Sequence, residues 1–248
     1  MSGEIPLSGG FVNDVARMRD TVHRPVAARG AFVHQLLGYL EERGWRGAPR
    51  FLGIDAQGRE ILTYLDGHVA WHETQPSAIW ADDCLVAVAD LLREFHDLTA
   101  GSALAAGHEV VCHNDLSPKN TVYRDVPGGY RPVAFIDWDI AAPGDRINDV
   151  AHMCWQYLGL GPGLADPVDA GRRVRMLCDA YGLDDRGSLV ETILWWQDRC
   201  WRGMELAAAA GDPAMTRLCD AGAPAQVRAA CRWVADHRAE LEAALGRR

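Results

Sequence analysis

The sequence lacks the features of several common protein classes. It has no run of about eighteen or more apolar residues, which argues against a membrane-spanning helix. The first ten residues lack the basic and apolar regions of a signal peptide. The seven cysteines are scattered without close pairs, and their odd number suggests neither a disulfide framework nor a zinc site. We therefore expect a soluble, cytoplasmic protein with no membrane partner.

Basic residues are also too few for a nucleic-acid-binding surface. The chain has 25 Lys and Arg against 34 Asp and Glu, a formal net charge of −9. Binding to nucleic-acid phosphates needs clustered basic side chains, so we expect no nucleic-acid partner. An acidic surface favours a cationic partner, although the same charge also serves to keep a protein dispersed in solution.

The length and the hydrophobic pattern predict two parts of different character. The 248 residues can bury one large core or two lobes that share an interface. Residues 1–65 predict strands around one helix over Phe32–Arg43, in the order β-β-α-β-β. Residues 66–248 are mainly helical, beginning with a helix over Asp82–Leu98, apart from short strand-like runs between Val110 and Ile140. The fold class is therefore α+β.

The stretch His113-Asn-Asp-Leu-Ser-Pro-Lys-Asn120 and the later Phe135-Ile-Asp-Trp-Asp139 carry the clearest chemistry. Phosphoryl transfer needs a carboxylate to orient an attacking hydroxyl and oxygen ligands to hold Mg²⁺ on nucleotide phosphates. Asp115 suits the first role, and Asn120 and Asp137 suit the second. This requires the strand runs after Asn120 and before Asp137 to pair as a hairpin.

A zinc-protease motif is nearly spelled by His108-Glu-Val-Val-Cys-His113. Its two histidines are five residues apart rather than four, so they would not share a helix face. The two valines between them favour a strand, and we reject a zinc site.

The two acidic motifs resemble those of aminoglycoside phosphotransferases and choline-kinase-like enzymes. The resemblance implies a two-lobed protein-kinase-like fold with a small β-rich N-lobe (1–65) and a larger, mainly helical C-lobe (66–248). It implies Asp115 as the catalytic carboxylate, Asn120 and Asp137 as Mg²⁺ ligands, and ATP or GTP as the donor. His113 would be a structural hydrogen-bonding residue, and Asp149, in a segment similar to the family's GD-x₃-D-x-A, would support the catalytic loop.

The nucleotide side departs from this pattern. Gly9 and Gly10 resemble a shortened glycine-rich loop, whose backbone N–H groups can approach phosphates. No lysine precedes Lys119, so the residue placed to replace the usual strand lysine is Arg24. The helix over Phe32–Arg43 offers no glutamate early enough to hold it in the usual way. An exposed Arg24 with no such role is the alternative.

The hinge between the lobes would contact the nucleotide base. The stretch Glu60–Gly67 resembles the hinge strand of the family, which implies that backbone groups of Thr63, Tyr64 and Leu65 bind the base. ATP and GTP are not distinguished by these residues.

The acceptor side is predicted from acidic and aromatic residues near the C-terminal helices. Asp139 and Asp145 are close to the predicted centre, and Trp195 with Asp198 and Glu205 lies on a later helix. Carboxylates beside aromatic faces suit a cationic ligand, although a helix with buried tryptophans and solvated acids would show the same pattern.

The predicted activity is transfer of a γ-phosphate to a hydroxyl of a small cationic molecule, such as an aminoglycoside-like antibiotic. One alternative is a non-catalytic immunity protein that sequesters an antibiotic or toxin, suggested by the absent lysine–glutamate pair. Another is a metabolic kinase that acts on a small alcohol.

Overall fold

A computed structural model of the chain describes residues 4–7, 15–71 and 75–246. The chain divides into two compact units, Met1–Arg146 and Ile147–Arg248. The predicted lobe boundary at Leu65 falls inside the first unit, two residues after the last strand of its sheet.

The first unit begins with a five-stranded antiparallel sheet of order β1-β2-β3-β5-β4. Its strands are β1 (Ile5–Pro6), β2 (Ala16–Met18), β3 (Thr21–Pro25), β4 (Phe51–Ile54) and β5 (Arg59–Thr63). Helix α1 (Gly30–Glu42) separates β3 from β4 in the chain. The predicted order β-β-α-β-β matches the chain from β2 to β5, whereas β1 is an additional strand that was not predicted.

Helix α1 forms where the apolar spacing predicts it. Val33, Leu36, Leu37 and Leu40 are all buried on one face, as expected for side chains three and four positions apart. Gly44 has φ +70°, a conformation that costs glycine little, and it stops the helix.

The rest of the first unit packs two pairs of short strands against a helix. These elements are α2 (Asp82–Thr99), β6 (Val110–Cys112), β7 (Thr121–Val126), β8 (Gly129–Phe135) and β9 (Ala142–Gly144). β7 pairs with β8 and β6 with β9, both antiparallel. Leu85, Val88, Leu92 and Phe95 bury one face of α2. The β7–β8 hairpin was predicted, whereas β9 was not.

The second unit is helical. After α3 (Arg146–Leu158), which begins at the unit boundary, it contains α4 (Pro167–Tyr181), α5 (Leu189–Ala209), α6 (Pro213–Asp220), α7 (Ala223–Asp236) and α8 (Arg238–Leu245). Helix α5 packs against α6 and α7, and α4 packs against α8. In the part of the chain that the structure describes, no helix is both long and apolar enough to cross a membrane.

Candidate active site

Two loops of the first unit are tied together at the end of the β7–β8 hairpin. Thr121 pairs with Phe135, so the residues just before β7 lie beside those just after β8. The Ile136 amide donates to the Asn120 carbonyl at 2.9 Å. The hairpin therefore brings the predicted catalytic loop next to Asp137.

Asp115 and Asn120 contact each other within the loop between β6 and β7. Nδ2 of Asn120 donates to the Asp115 carboxylate (Oδ2, 2.9 Å) and to the Asp115 carbonyl (2.8 Å). Asn120 is buried in a short 3-10 helix, Pro118–Asn120, whereas Asp115 is partly exposed. The first of these bonds holds the Asp115 side chain, and both use the Asn120 amide nitrogen rather than its Oδ1 atom.

His113 is buried and hydrogen-bonded to backbone at both ring nitrogens. Nδ1 accepts from the Asp115 amide at 3.3 Å, so Nε2 carries the proton that reaches the Ile136 carbonyl at 3.1 Å. An imidazole hydrogen-bonded at both ring nitrogens holds the two loops together, and this geometry favours the predicted structural role over catalysis.

Asp137 has a backbone conformation that few non-glycine residues adopt. Its φ is +65°, in the left-handed region. The next residue, Trp138, is buried, and its Nε1 donates to the Phe135 carbonyl at 3.0 Å. The packing of Trp138 stabilises this tight turn, and both flanking carboxylates, Asp137 and Asp139, reach Arg24.

Arg24 lies at the centre of a group of carboxylates, here called the arginine cluster: Arg24, Glu60, Asp137 and Asp139. Arg24 Nε donates to Glu60 Oε1 at 2.6 Å, and Nη1 donates to Asp137 Oδ1 at 3.1 Å. Nη2 donates to Asp139 Oδ1. Arg24 is 8% exposed, so the alternative of a solvent-exposed arginine is wrong.

Glu60 is the partner of Arg24 that the sequence did not indicate. It lies directly opposite Arg24 in the β3–β5 pairing and is 1% exposed. Its other oxygen, Oε2, lies 2.7 Å from Nε2 of His34 on α1, whose ring stacks on Phe51. Glu60 alternates with Leu62 along β5, so both lie on its buried face, and this alternation was the available signal because buried carboxylates are nearly always paired.

Burial and charge act in opposite directions on the groups of the arginine cluster. Burial alone would lower the pKa of the Arg24 guanidinium, but Asp139, Glu60 and Asp137 outweigh it and raise that pKa. Burial raises the pKa of Asp139, and Arg24 offsets only part of this effect. Arg24 therefore keeps its charge while its carboxylate partners are partly desolvated.

The donor set near Asp137 fits a magnesium ion. Mg²⁺ prefers carboxylate and amide oxygens, which Asp137 and Asn120 supply from adjoining loops. The Asn120 amide nitrogen donates to Asp115, which leaves the Asn120 Oδ1 atom for another partner. The Asp137 side chain is 40% exposed, so it is accessible from solvent.

Two of the three predicted base-binding residues already use their backbone amides in hydrogen bonds within the protein. The Thr63 amide donates to the Arg50 carbonyl, and the Tyr64 amide donates to the Asp20 carbonyl. Among the described residues, Leu65 is the member of this trio whose amide has no backbone acceptor. Gly9 and Gly10 lie outside the described residues.

The acidic residues Asp139 and Asp145, predicted for the acceptor, have different surroundings. Asp139 belongs to the arginine cluster, and its Oδ1 accepts from Arg24. Asp145 is more than half exposed, with Oδ1 3.8 Å from Nδ1 of His108. Asp149, predicted to support the catalytic loop, is fully buried on α3.

The predicted acceptor residues on α5 have protein partners. Asp198 pairs with Arg202 at 2.7 Å and Glu205 pairs with Arg228. The ring of Trp195, which is half exposed, has the Arg199 guanidinium 5.4 Å from its centroid. Arginines of the chain itself therefore neutralise this aromatic and acidic surface, which weakens the case for an external cation there.

Comparison with known proteins agrees with this geometry. A model described as "Phosphotransferase enzyme family" matches residues 100–188, which include both acidic motifs. The trifolitoxin immunity protein of Rhizobium leguminosarum bv. trifolii is 30% identical over 274 aligned positions, covering 99% of this chain and 100% of that protein. The chain belongs to the phosphotransferase enzyme family. The predicted resemblance is thus confirmed.

Solved structures identify the fold of this family member as protein-kinase-like. Aminoglycoside phosphotransferase APH(3'')-Id from Streptomyces rimosus has a TM-score of 0.59 at 16% identity, covering 79% of this chain and 92% of that one. A GDP complex of aminoglycoside 2'-phosphotransferase-IIIa gives 0.58 at 14% identity, and a choline/ethanolamine kinase family protein from Mesorhizobium loti gives 0.60 at 14%. Each of these two comparisons covers 98% of this chain and 92% of the other.

Proposed function

We propose that this protein transfers the γ-phosphate of ATP or GTP to a hydroxyl of a small molecule, with Asp115 as the base and Asn120 and Asp137 as Mg²⁺ ligands. One observation carries the proposal. The Asp115–Asn120 pair and the Asp137 turn are joined by the hydrogen bond between the Ile136 amide and the Asn120 carbonyl. A base and two metal ligands then belong to one continuous hydrogen-bonded structure.

The chain's own residues account for most of the chemistry. Asp115, held by Asn120, accepts the proton of the acceptor hydroxyl as the new O–P bond forms and the bond to the nucleoside diphosphate breaks. Arg24 binds phosphate oxygens through its two terminal nitrogens. When bound, Mg²⁺ neutralises charge on the phosphate oxygens.

The acceptor is a hydroxyl-bearing antibiotic or toxin in this proposal. The family relative's name records immunity to trifolitoxin, and two of the structures with the same fold are aminoglycoside phosphotransferases. A cationic acceptor agrees with the net charge of −9, but the self-paired acids of α5 give it no further support. An acceptor panel should therefore contain aminoglycosides, trifolitoxin and choline.

A sequestering immunity protein is the second candidate. The relative's name supports it, because immunity can also arise from binding without chemistry. Such a protein neutralises one molecule of toxin per molecule of protein and consumes no nucleotide. One molecule of an enzyme, in contrast, inactivates many molecules of toxin.

Asp115→Asn tests the proposal directly. The amide keeps the shape of the side chain but cannot take a proton, so we expect acceptor-dependent nucleoside diphosphate release to fall about 10²–10⁴-fold. Nucleotide binding, measured by calorimetry, should stay close to the wild-type value. Asp125→Asn, a matched change of an exposed carboxylate on β7, should leave the rate unchanged.

Two results would contradict the phosphotransferase proposal. One is phosphorylation by the Asp115→Asn variant at the wild-type rate. The other is stoichiometric protection from a toxin by this variant with no nucleotide consumed by the wild-type protein, which would instead support sequestration.

A further inference from the structure

The arginine cluster has a tightly held end and an open end. The Arg24 side chain is 9% exposed and that of Glu60 is 1% exposed, whereas Asp137 is 40% and Asp139 is 23% exposed. Both Glu60 oxygens have partners, Oε1 with Arg24 Nε and Oε2 with His34 Nε2. The Nε edge of the guanidinium is thus anchored, and the two terminal nitrogens face the more exposed carboxylates.

At its open end the guanidinium is a cation shared between two carboxylates. Nη1 donates to Asp137 Oδ1 and Nη2 donates to Asp139 Oδ1. A divalent ion on the same carboxylates would lie near a fixed positive charge, and like charges repel strongly where water is partly excluded. Arg24 and a metal ion would therefore compete for Asp137.

Phosphate groups offer Arg24 an alternative to these carboxylates. A guanidinium binds phosphate through two parallel N–H groups, and the terminal nitrogens of Arg24 have that geometry. Because Glu60 holds Nε, the side chain can exchange carboxylates for phosphates without leaving its anchor.

We propose that Arg24 is an internal cation that occupies Asp137 and Asp139 in the nucleotide-free protein, so that a divalent metal ion binds there strongly only when nucleotide phosphates engage Arg24. Glu60 and His34 are the positioning residues that hold Arg24 for this exchange. The inference rests on the proposed function for the identity of the phosphate ligand, but metal binding without nucleotide tests it independently.

The test measures Mn²⁺ binding in the absence of nucleotide, by loss of the free-ion electron paramagnetic resonance signal. The double variant Arg24→Met with Glu60→Gln removes one positive and one negative charge, so the net charge stays at −9. We expect it to bind Mn²⁺ at least about tenfold more tightly than the wild-type protein. Adding Asp137→Asn to this variant should abolish the gain.

A matched control separates this effect from general electrostatics. Arg50 and Glu41 form an exposed ion pair in the same unit. Replacing them by Met and Gln also conserves net charge, and should leave Mn²⁺ binding at the wild-type level. Should the first double variant not fold, Arg24→Gln with Arg50→Gln as its control gives the same comparison.

Nucleotide binding supplies a second readout of opposite sign. The double variant at Arg24 and Glu60 should bind a non-hydrolysable ATP or GTP analogue more weakly, because the phosphate ligand is gone, while binding Mn²⁺ alone more tightly. A purely structural role for Arg24 would weaken both. Equal Mn²⁺ affinity in the wild-type protein and the double variant, or no Mn²⁺ binding by either, would overturn the proposal whatever the outcome of the Asp115→Asn assay.

Discussion

At the scale of single residues, Asp55 organises the turn between β4 and β5. Its Oδ1 accepts from the amides of Gln57 and Arg59, and its Oδ2 accepts from Arg59 Nε and lies 2.9 Å from His23 Nδ1. These bonds, led by the one to His23, lower the pKa of Asp55 far below its usual range. The ionised carboxylate is therefore favoured by folding.

The sign of the pH dependence follows from this lowered pKa. The stabilisation by Asp55 is complete above the pKa that Asp55 has in the unfolded chain, about 3.9. It is lost as the pH falls towards the lower pKa that Asp55 has in the folded protein. We expect Asp55→Asn to lower the free energy of unfolding at pH 7, with the difference from wild type narrowing at pH 3. Urea unfolding at both pH values measures it, and a difference of constant size would contradict this account.

The residues of the candidate site were predictable to the extent that they lie in local motifs. Asp115, Asn120 and Asp137 occur in two short segments whose spacing indicates their chemistry. Glu60 was missed because its relation to Arg24 arises only from the register of β3 against β5, thirty-six positions apart in the chain. The left-handed conformation of Asp137 depends on the packing of surrounding residues, and no local sequence pattern indicates it.

At the scale of secondary-structure elements, prediction succeeded where one face is clearly apolar. Helices α1 and α2 and the β7–β8 hairpin occur where periodicity and turn residues indicate them. Strand β9 was missed because Ala142-Pro-Gly144 has none of the β-branched residues that indicate a strand. It becomes a strand by pairing with β6, a long-range contact.

Close packing of α4 on α8 gives a test of helix contacts in the second unit. A Cβ atom added at Gly171 would lie 2.9 Å from Ala244 Cβ and 3.3 Å from the Glu240 carbonyl oxygen. We expect Gly171→Ala to destabilise the protein by about 1–3 kcal/mol, because overpacking forces the two helices apart. The change in the free energy of unfolding, from urea titration, is the measurement.

Gly203 in α5 is the matched control for this substitution. A Cβ atom there meets no atom within 4 Å, so only the intrinsic preference of the helix for alanine is expressed. Gly203→Ala should therefore stabilise by roughly 0.5–1 kcal/mol. Equal effects at the two glycines would show that the α4–α8 contact is looser than described.

At the scale of the whole molecule, the proposed nucleotide and metal contacts are confined to one unit. Arg24, Leu65, Asn120 and Asp137 all belong to Met1–Arg146, whereas α4 to α8 belong to Ile147–Arg248. The composition agrees with an arginine in place of the usual strand lysine, because the chain contains a single lysine, Lys119, and its other basic residues of this class are arginines.

This division predicts how the protein responds to its ligand. A nucleotide analogue with Mg²⁺ at one hundred times its dissociation constant should stabilise the native state by about 2.7 kcal/mol. For a chain of this size that corresponds to a rise of about 5–11 °C in Tm, measured by calorimetry. Hydrogen exchange under the same conditions should slow mainly in β3, β5 and the loops around Asn120 and Asp137. A protein that only sequesters a toxin has no reason to bind nucleotide, so an unchanged Tm together with unchanged exchange in these segments would argue for sequestration.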